Sequence, residues 1–68
     1  MTTSLMPIYS IEVGDTLVIH GNFYEVLDTD YVEDGDDLVL TLVDEEGNRK
    51  RLTAPGTNEV KIVVSEYV

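Results

Sequence analysis

An all-β fold, a small barrel of five strands, is what this sequence predicts, and three observations carry the prediction. Short runs rich in Val, Ile, Leu and Thr recur along the 68 residues, with apolar side chains at a period of two. Clusters of Gly, Asn, Asp and Pro separate those runs at short intervals. No segment shows the periodicity of an amphipathic helix. At this size a flat open sheet leaves vulnerable edges, so curling into a barrel is favoured.

The elements follow in order. Thr16-Leu17-Val18-Ile19-His20 is rich in β-branched residues and forms the first strand. Gly21-Asn22 comes next, a pair that tolerates the positive φ of a tight hairpin, and Phe23 to Asp28 returns. Phe23 and Tyr24 point to opposite faces of a regular strand, so one of them belongs to the core. Glu33-Asp34-Gly35-Asp36-Asp37 is a polar turn leading into Leu38 to Val43, where Leu38, Leu40 and Leu42 share one face. Asp44-Glu45-Glu46-Gly47-Asn48 is a third turn, with Gly47 suited to a left-handed position.

Arg49 to Thr53 returns as a short strand. Pro55-Gly56-Thr57-Asn58 is a break, either one turn of 3₁₀ helix or a type II turn. Glu59 to Glu66 closes the chain, with Val60, Ile62 and Val64 on one face. Two hairpins, a polar crossover and a final strand fit an SH3-like barrel better than an OB-fold, which usually needs more chain. Residues 1–10 read as a loose N-terminal arm and 11–68 as a single SH3-like β-barrel.

Composition bounds the function. A chain this short buries roughly 60% of the surface its unfolded form exposes, enough for one small domain. It has no cysteine, so disulfides and thiolate zinc sites are excluded, and the cytoplasm is the expected compartment. Met1 to Ser10 carries no basic residue and no long apolar core, unlike a secretory signal. No apolar run approaches the ~20 residues of a membrane-spanning helix, and no membrane partner is expected.

Charge is the strongest feature. Asp and Glu number 14 against 4 Lys and Arg, a net charge of −10. From Asp28 to Glu46 the carboxylates Asp28, Asp30, Glu33, Asp34, Asp36, Asp37, Asp44, Glu45 and Glu46 occur without one Lys or Arg. Such a surface repels nucleic-acid phosphates and attracts basic partners, so direct nucleic-acid binding is not expected.

Val13-Gly14-Asp15-Thr16, followed by Gly21-Asn22-Phe23-Tyr24-Glu25-Val26-Leu27, resembles the opening of KOW-type and other SH3-like barrels. It is similar in particular to the N-terminal domain of translation elongation factor P and its eukaryotic counterpart, over about Ile11 to Val64. The resemblance implies the fold. It does not imply the activity: in that factor the turn after the second strand is rich in Pro, Gly and Lys and carries the lysine extended toward the peptidyl-transfer centre. Here the equivalent turn, Glu33 to Asp37, holds no lysine. The chain also resembles small acidic accessory proteins of bacteria and bacteriophages.

Several residues invite chemistry. If Gly35 were the sixth position of an EF-hand loop, Val32 and Thr41 would stand where carboxylates are required, so the loop fails. A weak cation site from Asp28, Asp30, Asp34 and Asp36 competes with the simpler reading of a solvated turn, and no metal is expected. His20, the sole histidine, has no second ligand and no nucleophile in frame. It reads as a surface residue, and Asp15 as a turn former. Arg49-Lys50-Arg51 is the one basic cluster, expected to form cross-strand ion pairs with Asp44, Glu45 or Glu46. Tyr24 and Tyr31 have acidic neighbours, which suits a groove for proline-rich or basic peptides better than base stacking.

The expectation is therefore a non-catalytic acidic interaction module with no cofactor. It docks a basic surface of a partner protein through Asp28, Asp30, Tyr31, Glu33, Asp34, Asp36 and Asp37. Two alternatives stay open. One is a nucleic-acid mimic that occupies a DNA- or RNA-binding protein, as phage proteins do. The other is an assembly subunit that pairs through Glu59 to Glu66 as an edge strand. No nucleophile–base pair, metal set or phosphate-cradling loop supports an enzyme, and the sequence does not specify an oligomeric state.

Overall fold

The structure, a computed structural model, describes residues 2–32 and 35–64. Strand β1 (Thr2–Pro7) leads into a 3₁₀ turn at Ile8–Ser10. Then come β2 (Thr16–Ile19), β3 (Asn22–Tyr31), β4 (Asp37–Asp44), β5 (Arg49–Pro55) and β6 (Glu59–Val64). All six belong to one antiparallel sheet in the order β1-β6-β2-β3-β4-β5. The fold is all-β and barrel-like, as the sequence predicts. Among the described residues the strand number is corrected from five to six, and no ladder joins β1 to β5 to close the sheet.

The extra strand comes from the segment expected to be a loose arm. Thr2 to Pro7 pair with Val64 to Glu59 along β6, and Met6 packs against the core. Pairing and that one apolar anchor order residues whose own pattern is weak. They also make β6 an interior strand between β1 and β2, not the edge that the assembly reading required.

The core forms on the concave face. Ile8, Leu17, Val26 and Leu40 are almost wholly buried, joined by Ile11, Tyr24, Leu38, Leu42 and Ile62. Leu38, Leu40 and Leu42 share the buried face as their spacing predicts, and Tyr24 rather than Phe23 is the core aromatic.

The first hairpin turns one residue earlier than Gly21-Asn22. Ile19 pairs with Asn22, leaving His20 and Gly21 as the loop, at φ of 51° and 79°. Positive φ at both positions is the type I′ geometry whose twist matches the flanking strands. The Val26 N–H donates to the Asp15 carbonyl at 2.9 Å, and Gly14 donates back to Val26 at 2.9 Å, so the same register runs past the ladder.

β3 then departs from regular alternation. Val26 pairs with Leu42 but Asp28 with Thr41, so Leu27 is an extra residue, a β-bulge. Regular alternation from Tyr24 and Val26 would aim Asp28 and Asp30 into the core. The bulge inverts the parity: Asp28 and Asp30 stand outward opposite Thr41 and Val39, and Thr29 and Tyr31 come to the concave side opposite Leu40 and Leu38.

Two further turns complete the frame. Between β4 and β5 the Gly47 N–H donates to the Asp44 carbonyl at 3.1 Å, with Gly47 at φ 88°. Between β5 and β6 the Asn58 N–H donates to the Pro55 carbonyl at 3.0 Å. Neither Gly56 nor Thr57 has positive φ, which excludes the type II alternative.

Candidate partner-binding site

Backbone hydrogen bonds gather three separate segments at one end of the sheet. The Ile8 N–H donates to the Asn58 carbonyl at 2.8 Å, and Tyr9 donates to Gly56 at 3.1 Å. Gly56 donates to Asp36 at 3.0 Å, and Val32 to Asp37 at 3.1 Å. The 3₁₀ turn, the β5–β6 turn and the start of β4 thus meet beside the end of β3. Of the acidic residues expected in the site, Asp30, Asp36 and Asp37 lie here, and Asp28 stands further along β3 opposite Thr41.

Asp28 and Asp30 are exposed on β3, and each carboxylate bends onto the next backbone N–H: Thr29 donates to Asp28 Oδ1 at 2.9 Å and Tyr31 to Asp30 Oδ1 at 2.8 Å. Asp36 is exposed and Asp37 half-buried at the head of β4. Tyr31 is 80% exposed although it sits on the concave side. Glu33 and Asp34 lie outside the described residues. Among the described residues no three His or carboxylate side chains converge to hold a metal ion.

The acidic run that is continuous in sequence is divided by the fold. β4 spans eight residues, Asp37 to Asp44, which separates Asp36 and Asp37 from Asp44, Glu45 and Glu46 by roughly 23 Å at about 3.3 Å per residue, with Asp30 near the first end opposite Val39 and Asp28 midway opposite Thr41. The basic cluster lies toward the second end. Arg49 pairs with Val43 and Arg51 with Thr41 on edge strand β5. Asp28 and Arg51 flank Thr41, their backbones two strand spacings or roughly 9–10 Å apart, and no ion pair joins them.

The ion pairs expected between Arg49-Lys50-Arg51 and Asp44, Glu45 or Glu46 are absent among the described residues. Instead the Lys50 ammonium lies over the Tyr24 ring, 5.6 Å from its centroid. Asp44 is engaged within its own turn, accepting Asn48 N–H at 2.8 Å and Glu46 N–H at 2.9 Å on Oδ1, and the Asn48 amide at 3.3 Å on Oδ2. The Asn48 backbone bond is the main reason its carboxyl lies below the usual range. The Asn48 amide, the Glu46 N–H and the Lys50 charge add to it against an opposing effect of burial.

His20 and Asp15 belong to turns. His20 is exposed in the hairpin loop, while Asp15 accepts the Glu12 N–H at 2.9 Å and closes the 12–15 turn.

One feature of this end was invisible in sequence. Tyr9, 66% exposed on the 3₁₀ turn, faces the same open groove as Tyr31, a space of about 380 Å³ floored by Leu38 and Gly56. Tyr9 falls in the segment read as a loose arm, so only knowledge of the β1–β6 pairing would have brought it to the site. A second depression of about 460 Å³ at the opposite end is lined by Asn22, Tyr24, Asp44 and Lys50, where both signs of charge already meet.

Fold and site together define a small all-β, barrel-like protein with an anionic, tyrosine-bearing end. No family model matches the sequence, and no curated protein matches it. Solved structures do. Eukaryotic translation initiation factor 5A from Methanococcus jannaschii superposes with a TM-score of 0.73 at 22% identity over 87% of this chain and 48% of its own. A translation initiation factor 5A family protein from Naegleria fowleri gives 0.75 at 15% identity over 88% of this chain and 46% of its own. The chain thus spans about half the length of these neighbours, and the likeness establishes a shared fold. Among the described residues no helix is long and apolar enough to cross a membrane.

Proposed function

We propose that the protein is a non-catalytic, cytoplasmic interaction module that docks a basic surface of a partner protein through Asp28 and Asp30 on β3 and the adjoining end with Tyr31, Asp36 and Asp37. One observation carries the reading: those carboxylates have no ion-pair partner among the described residues, while the basic cluster lies toward the other end of β4. An unneutralised anionic end creates a field that steers cationic partners and is screened by salt.

In this reading the body is that of the N-terminal domain of elongation factor P. The barrel-like body is kept, and the lysine-bearing turn is replaced by an acidic one. A nucleic-acid mimic calls for two rows of carboxylates. β3 supplies one row, Glu25, Asp28 and Asp30, but its β4 partners are Val43, Thr41 and Val39, which gives the mimic less support.

The test is a titration with octalysine over a salt series. Wild type is expected to bind at low salt and weaken as salt rises. The charge reversal D36K/D37K should abolish binding, and E45K/E46K at the far end should leave most of it. Salt-independent binding, or equal loss from the two double variants, would refute the reading.

A further inference from the structure

We infer that the groove between Tyr9 and Tyr31 is an arginine-reading subsite, taking a guanidinium side chain from an extended basic segment of the partner. This rests on the docking function proposed above and adds its chemical specificity.

The two tyrosines are 66% and 80% exposed, yet they stand beside Leu38, which is only 9% exposed. The Leu27 bulge is what brings Tyr31 there, because it turns Tyr31 to the concave side opposite Leu38 and keeps Asp30 on the outer side. Gly56 forms part of the floor: a Cβ at that position would meet Tyr9 Cβ at 3.4 Å and Leu38 Cδ1 at 3.5 Å. Two ring walls, an aliphatic floor and Asp36 at the rim therefore surround a space of about 380 Å³.

That set of groups matches arginine. Its planar guanidinium stacks on aromatic faces while its N–H fork reaches carboxylates, and its methylene stem covers apolar surface. A lysine ammonium is a compact, strongly hydrated charge and gains less from two flanking rings.

The opposite end of the molecule supplies an internal template. There a tyrosine, an aspartate and a cation come from one chain: Lys50 lies 5.6 Å from the Tyr24 centroid, with Asp44 in the same depression. At the Tyr9–Tyr31 end the ring and carboxylate components recur, but none of the residues lining the groove is basic. The missing third component is the one a basic partner brings.

The experiment titrates the full chain with tetra-arginine and with tetralysine, followed by amide and tyrosine-ring NMR shifts. Wild type is expected to prefer tetra-arginine by about fivefold, with shifts centred on Tyr9, Tyr31 and Gly56. The double variant Y9A/Y31A should lose the preference yet keep the salt-dependent binding common to both peptides, and Y9F/Y31F should retain the preference. Both tyrosines are exposed, so thermal melts should show all variants folded. Equal affinity of wild type for the two peptides, or a preference that survives Y9A/Y31A, overturns the subsite and leaves the docking reading intact. Binding of neither peptide overturns both.

Discussion

Asp44 accepts hydrogen bonds from two backbone N–H groups and one side-chain amide within its own turn, and all three favour the ionised carboxylate. Its folded pKa is therefore lowered from the ordinary 3.8, chiefly by the Asn48 N–H. A depressed carboxyl stabilises the fold fully above its unfolded value, and that contribution is lost as pH falls through the lower folded value. D44A should thus melt below wild type at neutral pH, with the gap closing as both are taken well below pH 3.8. A gap that persists in acid would place the effect in packing instead. Glycine gives a second contrast. Gly47 has open space around it but φ of 88°, whereas the buried Gly56 has ordinary φ and ordinary van der Waals room for a methyl. G47A should therefore cost about 1 kcal/mol, or roughly 4–8 °C in Tm, and G56A much less. Thermal melts of the pair decide whether backbone strain or burial governs.

At the scale of elements, legibility followed regularity. The alternation Leu38-Leu40-Leu42 announces β4 and its buried face because nothing interrupts it. β3 is harder. A period-two reading carried past Val26 places Asp28 and Asp30 on the core face, and that conflict was the available sign that a bulge must intervene. β1 gave no such sign, since Thr2 to Pro7 has little apolar pattern and is ordered by its pairing with β6. Its docking has a direct test. Met6 packs on the core, whereas Leu5 is 57% exposed on the other face. M6A should cost about 1–2 kcal/mol, less than a fully buried methionine because Met6 is only half-buried, and L5A under about 0.5 kcal/mol. Equal and negligible effects in urea unfolding would mean that β1 does not hold to the sheet.

For the whole molecule, the sequence showed how much negative charge there is but not how it is distributed, because β4 sends Asp36 and Asp37 to one end and Asp44, Glu45 and Glu46 to the other. The same distribution governs self-association. Among the described residues the outer strands of the sheet are β1 and β5. β5 carries Arg49, Lys50 and Arg51, charges that discourage pairing with another chain, whereas Thr3, Ser4, Leu5 and Met6 of β1 carry none. Near neutral pH the net charge of −10 keeps copies apart. As pH approaches the isoelectric point near 4.1 the net charge falls to zero and that repulsion vanishes, but the β5 cations remain. Association is then expected through β1, seen as a rise in light scattering near that pH. L5K should suppress the rise. T53K adds the same charge to the already guarded β5 edge, so it controls for the shift in isoelectric point and should suppress far less. If the two substitutions act equally, net charge alone controls association and the uncharged edge has no part in it.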